Sequence, residues 1–246
     1  MLKTTLFRTL ALIILTTLSI ALLSACGSRV SSVSDTVKFA LSGSEDTVLT
    51  PAQIDELTYA TQYAKFKGSG QSVIVLAFID KSENAGYQEQ WAGQGNEIIV
   101  TRNGRLHSTR NIVGEFTNVK YELIKLVAEQ PDPLFCLNQQ ATKANSTCPL
   151  SWQAKATVKS EHKIKNYNLS FQLSTPVADS IVINGERLES MRVEESVSAV
   201  NNVGKVFSFE NTYWIADGQV IKSRQQLVPE IPKLDTEMLK RIKGLI

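Results

Sequence analysis

Two hydrophobic rhythms divide the chain. From Leu10 to Leu23 every residue is apolar or hydroxylic and none is charged. Lys3 and Arg8 precede this run, and small residues ending at Ala25 follow it. That order predicts a secretory signal over residues 1–25. The run is shorter than the about 20 apolar residues that span a bilayer as a helix. Residues 26–50 then carry serine at 28, 31, 32, 34, 42 and 44 and no sustained apolar pattern, which predicts a polar tether, flexible at least in its first half.

Beyond residue 50 the rhythm has a period of two. Thr50-Pro51-Ala52-Gln53 predicts a short helix reaching about Leu57, with Thr50 as cap, Pro51 in the first turn and Gln53 completing a capping box. Val73 to Ile79 is a continuous apolar run that predicts a strand buried on both faces. Trp152, Ala154, Ala156 and Val158 alternate with Gln153, Lys155 and Thr157. Tyr167, Leu169, Phe171 and Leu173 alternate with Asn168, Ser170 and Gln172. Such alternation predicts strands with one face on a core and one in water. Asn103-Gly104, Asn184-Gly185 and Asp217-Gly218 each separate two strand-like runs, the strongest short hairpin signal.

The predicted fold is therefore mainly β, with antiparallel sheets packed as a sandwich or as two β lobes and minor short helices. The β domain covers residues 51–246, about 195 residues where all-β domains often reach 200–250. A break between lobes, if present, falls near residues 131–149, where Pro131-Asp132-Pro133 and a cysteine-flanked loop interrupt the pattern. Asp235 to Ile246 is a candidate closing helix with Asp235 as its cap.

Cysteine changes the picture at the amino terminus. Leu23-Ser24-Ala25-Cys26 has the form of a bacterial lipobox, so Cys26 is the predicted lipidated first residue of the mature chain. Gly27, rather than Asp, follows it, which by analogy with enteric sorting points to the outer membrane. Export leaves Cys136 and Cys148 in an oxidising compartment, where an even pair of thiols usually joins. Such a bridge closes a short polar loop and contributes about 2–4 kcal/mol; two free thiols are the alternative. The covalent lipid aside, no cofactor is implied.

Charge excludes one class of partner. Lys and Arg number 26 against 24 Asp and Glu. Removing residues 1–25 removes Lys3, Arg8 and no acidic residue, so the mature chain is balanced. It carries no electrostatic footprint for nucleic acid.

Catalytic signatures are missing. There is no nucleophile elbow, phosphate loop or dinucleotide fingerprint. His107 and His162 read as surface histidines, distant in sequence from the cysteines, and no metal site is predicted. Glu194-Glu195 and Glu45-Asp46 read as solvated neighbours, although paired carboxylates keep a glycan-modifying enzyme as the rival reading. Trp91 and Trp214 are candidate sugar-stacking residues, while Trp152 fits a core face.

One resemblance adds to this. Tyr213-Trp214-Ile215, then Gly218 through Leu227, then Pro229 and Pro232, resembles the YjbF/GfcB family of lipoproteins, associated with group 4 capsule and related exopolysaccharide systems. Tyr59 to Ala64, Val73 to Phe78 and Val100 to Leu106 are similar to the family's earlier segments. The likeness runs from about residue 50 to 235. The Cys136–Cys148 loop and the Lys240-Arg241-Ile242-Lys243 tail stand outside it. The resemblance implies a non-enzymatic lipoprotein on the periplasmic face of the outer membrane that assists export or assembly of a polysaccharide. Its expected partners are the membrane, an outer-membrane β-barrel and periplasmic proteins of the same system, with direct glycan contact left open. A generic envelope chaperone is a third reading. The family supplies no catalytic residues. The expected binding surface combines Ser223, Arg224 and Gln225 with Trp91 and Trp214.

Overall fold

Thr50 opens the first helix, α1 (Pro51–Asp55), by the chemistry its sequence predicts. The Thr50 hydroxyl accepts from the Gln53 amide at 3.3 Å, and Gln53 Oε1 accepts from the Thr50 amide at 2.8 Å. The computed structural model describes residues 46–82, 86–113, 119–140, 148–161 and 163–242. The predicted signal, Cys26, most of the tether and His162 lie outside the described residues. The last tether residues are not free. The Thr47 amide donates to the Gln71 carbonyl at 2.9 Å, and the Leu49 amide donates to the Tyr63 hydroxyl at 2.7 Å.

Alternating side chains and left-handed turns build the rest. β1 (Thr61–Phe66), β2 (Ser72–Ser82), β3 (Gly86–Ala92), β4 (Ile98–Arg102) and β5 (Arg105–Arg110) form a meander. After β6 (Ile112–Val113) and β7 (Lys120–Val127), helix α2 (Pro133–Gln140) leads to β8 (Ser151–Ser160) and β9 (Ile164–Leu173). β10 (Val177–Ile183), β11 (Glu186–Asn201), β12 (Val206–Ala216), β13 (Gln219–Gln225) and β14 (Leu234–Lys240) complete the body. Each predicted hairpin turn has two residues at positive φ: Asn103 and Gly104 at 54° and 85°, Asn184 and Gly185 at 52° and 81°, Asp217 and Gly218 at 48° and 68°. This is the geometry whose twist matches antiparallel strands, and Asn, Asp and Gly tolerate it.

The strands form one antiparallel sheet in the order β5-β4-β3-β2-β1-β14-β13-β12-β11-β9-β8-β7-β6, with β10 added to β11. The two ends of that order, β5 and β6, are joined in sequence through Asn111. The sheet therefore curls until it is nearly closed rather than splitting into a sandwich. The Leu123 amide on β7 donates to Thr109 Oγ1 on β5 at 3.0 Å across the seam. Bulges in β2, β5, β7, β13 and β14 supply local bending. Residues 131–149 connect β7 to β8, which are paired neighbours, so this stretch interrupts a hairpin within one sheet. Cys136 on α2 is bonded to Cys148 there.

Two sequence expectations change. The carboxy-terminal segment is the strand β14, lying between β1 and β13, not a helix. Its Leu234, Thr236 and Met238 are buried, while Glu237 and Asp235 pair outside with Lys222 and Arg224. Burial of that alternation overrides helix propensity. β2 is buried on both faces only at Val73, Ile74 and Val75; beyond its bulge Phe78 is 59 % exposed.

Candidate functional site

The residues expected to make one surface are divided by the strand period. Ser223 and Gln225 point inward and are 2 % and 0 % exposed, while Arg224 between them points out. Ser223 shares a 2.7 Å hydrogen bond with Thr236. Gln225 accepts the Leu106 amide at 2.8 Å and donates to the Gly104 carbonyl at 3.1 Å, tying the β4–β5 hairpin to β13. Arg224 pairs with Asp235 at 3.0 Å in solvent. Trp91 is 1 % exposed, so it presents no stacking face. Its indole donates to Thr101 Oγ1 at 3.0 Å, and that hydroxyl donates to Glu89 at 2.8 Å. Trp214 is half-buried and donates to Asp179 at 3.1 Å, beside Arg192. Of the proposed surface, only Arg224 and part of Trp214 reach water.

The interior holds the polar group that sequence reasoning missed. Arg105 leaves the Asn103-Gly104 turn as the first residue of β5 and points inward, 1 % exposed. Its Nε donates to Asp132 at 2.6 Å. Nη2 and Nη1 donate to the two Glu195 oxygens at 2.7 and 2.8 Å. The guanidinium also lies 4.8 to 5.4 Å from the rings of Phe171, Trp152 and Tyr213. Glu195 further accepts from Asn211 at 2.9 Å and from the Tyr213 hydroxyl at 3.2 Å. A signal for Glu195 existed. It occupies the apolar phase of β11, in line with Val193, Val197 and Ala199, whereas Glu194 falls in the exposed phase. It belongs to a strand, not to a solvated loop.

Electrostatics bind this group together. Burial alone disfavours the Arg105 charge, but Asp132 and Glu195 outweigh it and hold the guanidinium firmly protonated. Burial, opposed by Arg105, raises Asp132 above its ordinary range. Glu89 is raised to about 8 by burial, against a weaker opposing hydrogen bond from Thr101. His107 is held down to about 4, first by burial and then by Arg102, so its imidazole is neutral. His107, Arg105 and Asp132 line a cavity of about 250 Å³ with Gln130 and Trp152. Both Asp132 oxygens are engaged, one by Arg105 and one by the Leu134 amide at 2.9 Å. These groups join β5, β11, β12 and the approach to α2, and their contacts are those of a structural clasp.

The architecture defines a class: a curled antiparallel β body clasped by a buried arginine. The chain belongs to the YjbF family, described as the group 4 capsule polysaccharide lipoprotein gfcB, YjbF, which it matches over residues 34–239. Two Escherichia coli K12 proteins, the uncharacterized lipoproteins GfcB and YjbF, are each 26 % identical to it. The matches cover 89 % and 90 % of this chain and 93 % and 94 % of those proteins. The crystal structure of the hypothetical lipoprotein YmcC from E. coli K12 shares the fold, with a TM-score of 0.61 at 22 % identity, covering 78 % of this chain and 88 % of that one. Its family is thus one of capsule-associated lipoproteins.

Proposed function

We propose that this protein is an outer-membrane lipoprotein, anchored through lipid on Cys26 on the periplasmic side, that assists export or assembly of a capsule or exopolysaccharide without catalysing a reaction. The observation that carries the reading is the family match over residues 34–239. The buried carboxylates fit it, because Asp132 and Glu195 are spent on Arg105 and Glu89 is enclosed beside Thr101. The expected partners are an outer-membrane β-barrel and periplasmic proteins of the same secretion system.

The test is surface polysaccharide in a strain lacking its own copy, complemented with variants at matched protein levels. Cys26→Ala should abolish membrane anchoring and lower surface polysaccharide. Arg224→Glu should lower it if a partner reads that face. The swap Arg224→Glu with Asp235→Lys restores the cross-strand pair, so recovery there would assign Arg224 to folding alone. Normal polysaccharide in the deletion strain would overturn the proposal. Loss of function from a single Asp, Glu or His change in a folded, anchored protein would favour the enzyme instead.

A further inference from the structure

The outer face of β8, β9, β11 and β12 differs in chemistry from the rest of the sheet. Register aligns Ser151, Gln172, Ser196 and Glu210 in one cross-strand row. The next row is Gln153, Ser170, Ser198 and Ser208. Neighbouring strands lie about 4.8 Å apart, so each row spans about 14 Å, and the rows are about 7 Å apart along the strands. Together they line a trough of about 1110 Å³, with Val127 to Gln130 along one margin. The short serines leave the strand backbones as its floor.

These polar groups are mostly uncommitted. Ser196 donates to Glu210 at 3.2 Å, and Gln172 makes a long 3.5 Å contact with the Leu173 carbonyl. The side chains of Ser151 and of the whole second row have no hydrogen-bond partner among the described residues. The adjoining outer face is different. There Lys222 pairs with Glu237, Arg224 with Asp235, and Arg192 with Asp179. Strand formation does not explain the trough's composition either. Asn168, Ser170 and Gln172 fill outward positions of β9 where β-branched residues would serve a sheet better. Polarity there suits a face in water, but low-propensity residues with few internal partners make a candidate contact surface.

The chemistry selects the occupant. Hydroxyls and amides both donate and accept, which matches a ligand dense in hydroxyl groups. Lys155 and Glu210 are the charged residues of the trough beside Glu129, so it has no surplus of positive charge for a polyanion. The side chains that reach into it are mainly hydroxyls and amides, and the exposed Val127 lies at its margin rather than its centre. Trp152 and Phe171 are turned inward, 6 % and 2 % exposed, so sugars would be held by hydrogen bonds without ring stacking. We propose that this trough binds an extended, neutral, hydroxyl-rich glycan chain, several sugars at once and each weakly. The inference rests on the polysaccharide-secretion reading and names the ligand surface within it. Weak contacts repeated along a chain give useful avidity while allowing the chain to move.

The experiment is a binding titration of the full-length lipidated protein in detergent micelles. The probes are polysaccharide purified from the cells that make this protein, dextran as a neutral glucan and polygalacturonate as a polyanion. Wild type should bind at least one neutral chain and not polygalacturonate. Ser170→Arg and Ser198→Arg fill the trough and should each weaken binding about tenfold or more, with unchanged melting temperature. Glu189→Arg, at an exposed site outside the trough, should bind as wild type. No binding by wild type to any neutral chain, preference for polygalacturonate, or undiminished binding by both arginine variants would each overturn the proposal. Secretion in the deletion strain separates the two readings. A secretion defect without glycan binding removes the trough and leaves protein contacts as the mode of action. Glycan binding with normal secretion removes the secretion role and leaves the trough.

Discussion

Arg105 is the residue on which the interior depends. It holds one positive charge between Asp132 and Glu195 with almost no water. Removing one partner of a buried ion group leaves the other charges uncompensated, at a cost of about 3–5 kcal/mol. Arg105→Met should therefore lower the urea midpoint sharply, and adding Glu195→Leu should recover part of the loss. A single variant as stable as wild type would show the clasp to be dispensable. Glu89 gives a pH signature. Its ordinary value is 4.5 and burial raises it to about 8 in the fold. Between those values the unfolded chain ionises while the folded one keeps its proton, so stability falls as pH rises and levels off above about 8. The total is on the order of 5 kcal/mol. His107 acts oppositely, because its lowered value removes stability as pH falls from 6.5 towards 4. The window from pH 6.5 to 8 therefore leaves out the opposing histidine slope. Asp132, also raised, slopes the same way as Glu89. Glu89→Gln should flatten, not abolish, the decline in urea midpoint there; an unchanged slope would place the titration elsewhere.

Among the elements, the hairpins show how one local motif meets different surroundings. Gly104 and Gly185 both have positive φ. A side-chain carbon on Gly104 would meet Val220 at 2.4 Å, whereas one on Gly185 meets nothing within 4 Å. Alanine strains the backbone at both sites, but only Gly104→Ala also overpacks the contact between the β4–β5 turn and β13. The difference in stability should be about 1–3 kcal/mol, measured by denaturant unfolding. Equal losses would show that Val220 yields freely. The turn is in addition pinned by Gln225 through Gly104 and Leu106, and the Tyr87 hydroxyl donates to the Gly218 carbonyl at 3.1 Å.

At the scale of the whole molecule, the sheet's continuity decides cooperativity. β7 and β8 pair directly across the ends of residues 131–149, and Arg105 joins β5 to β11 across the interior. A structure so connected should unfold in one step. Thermal transitions followed by far-ultraviolet dichroism and by tryptophan fluorescence should coincide. Trp91 on β3 and Trp152 on β8 report on both sides of that connection. Two separated transitions would mean that the strands before and after it unfold independently. β10 is the exception to enclosure. It continues the line of β9 along β11 after Pro176, and its other edge has no strand partner among the described residues.

By itself the sequence determined what depends on neighbours along the chain. The capping box at Thr50, the three left-handed hairpin turns and the alternating faces of β8 and β9 are local, because a turn needs only its own residues and a strand's faces follow from its period. The resemblance carried in Tyr213 to Leu227 led to the family. Tertiary structure decided what depends on distant partners. Ser223-Arg224-Gln225 reads as one polar run, yet only its middle residue is exposed, because β13 is covered inside by β5's hairpin and paired on both edges. Asp235 to Lys240 has helix-forming composition, but Arg224 and Lys222 on β13 give its acidic residues cross-strand partners. Arg105, Asp132 and Glu195 are separated by up to 90 residues, and only the curl of the sheet brings them within hydrogen-bonding distance. A charge can be buried only where its counter-charges arrive with it, and that arrival is a property of the closed sheet.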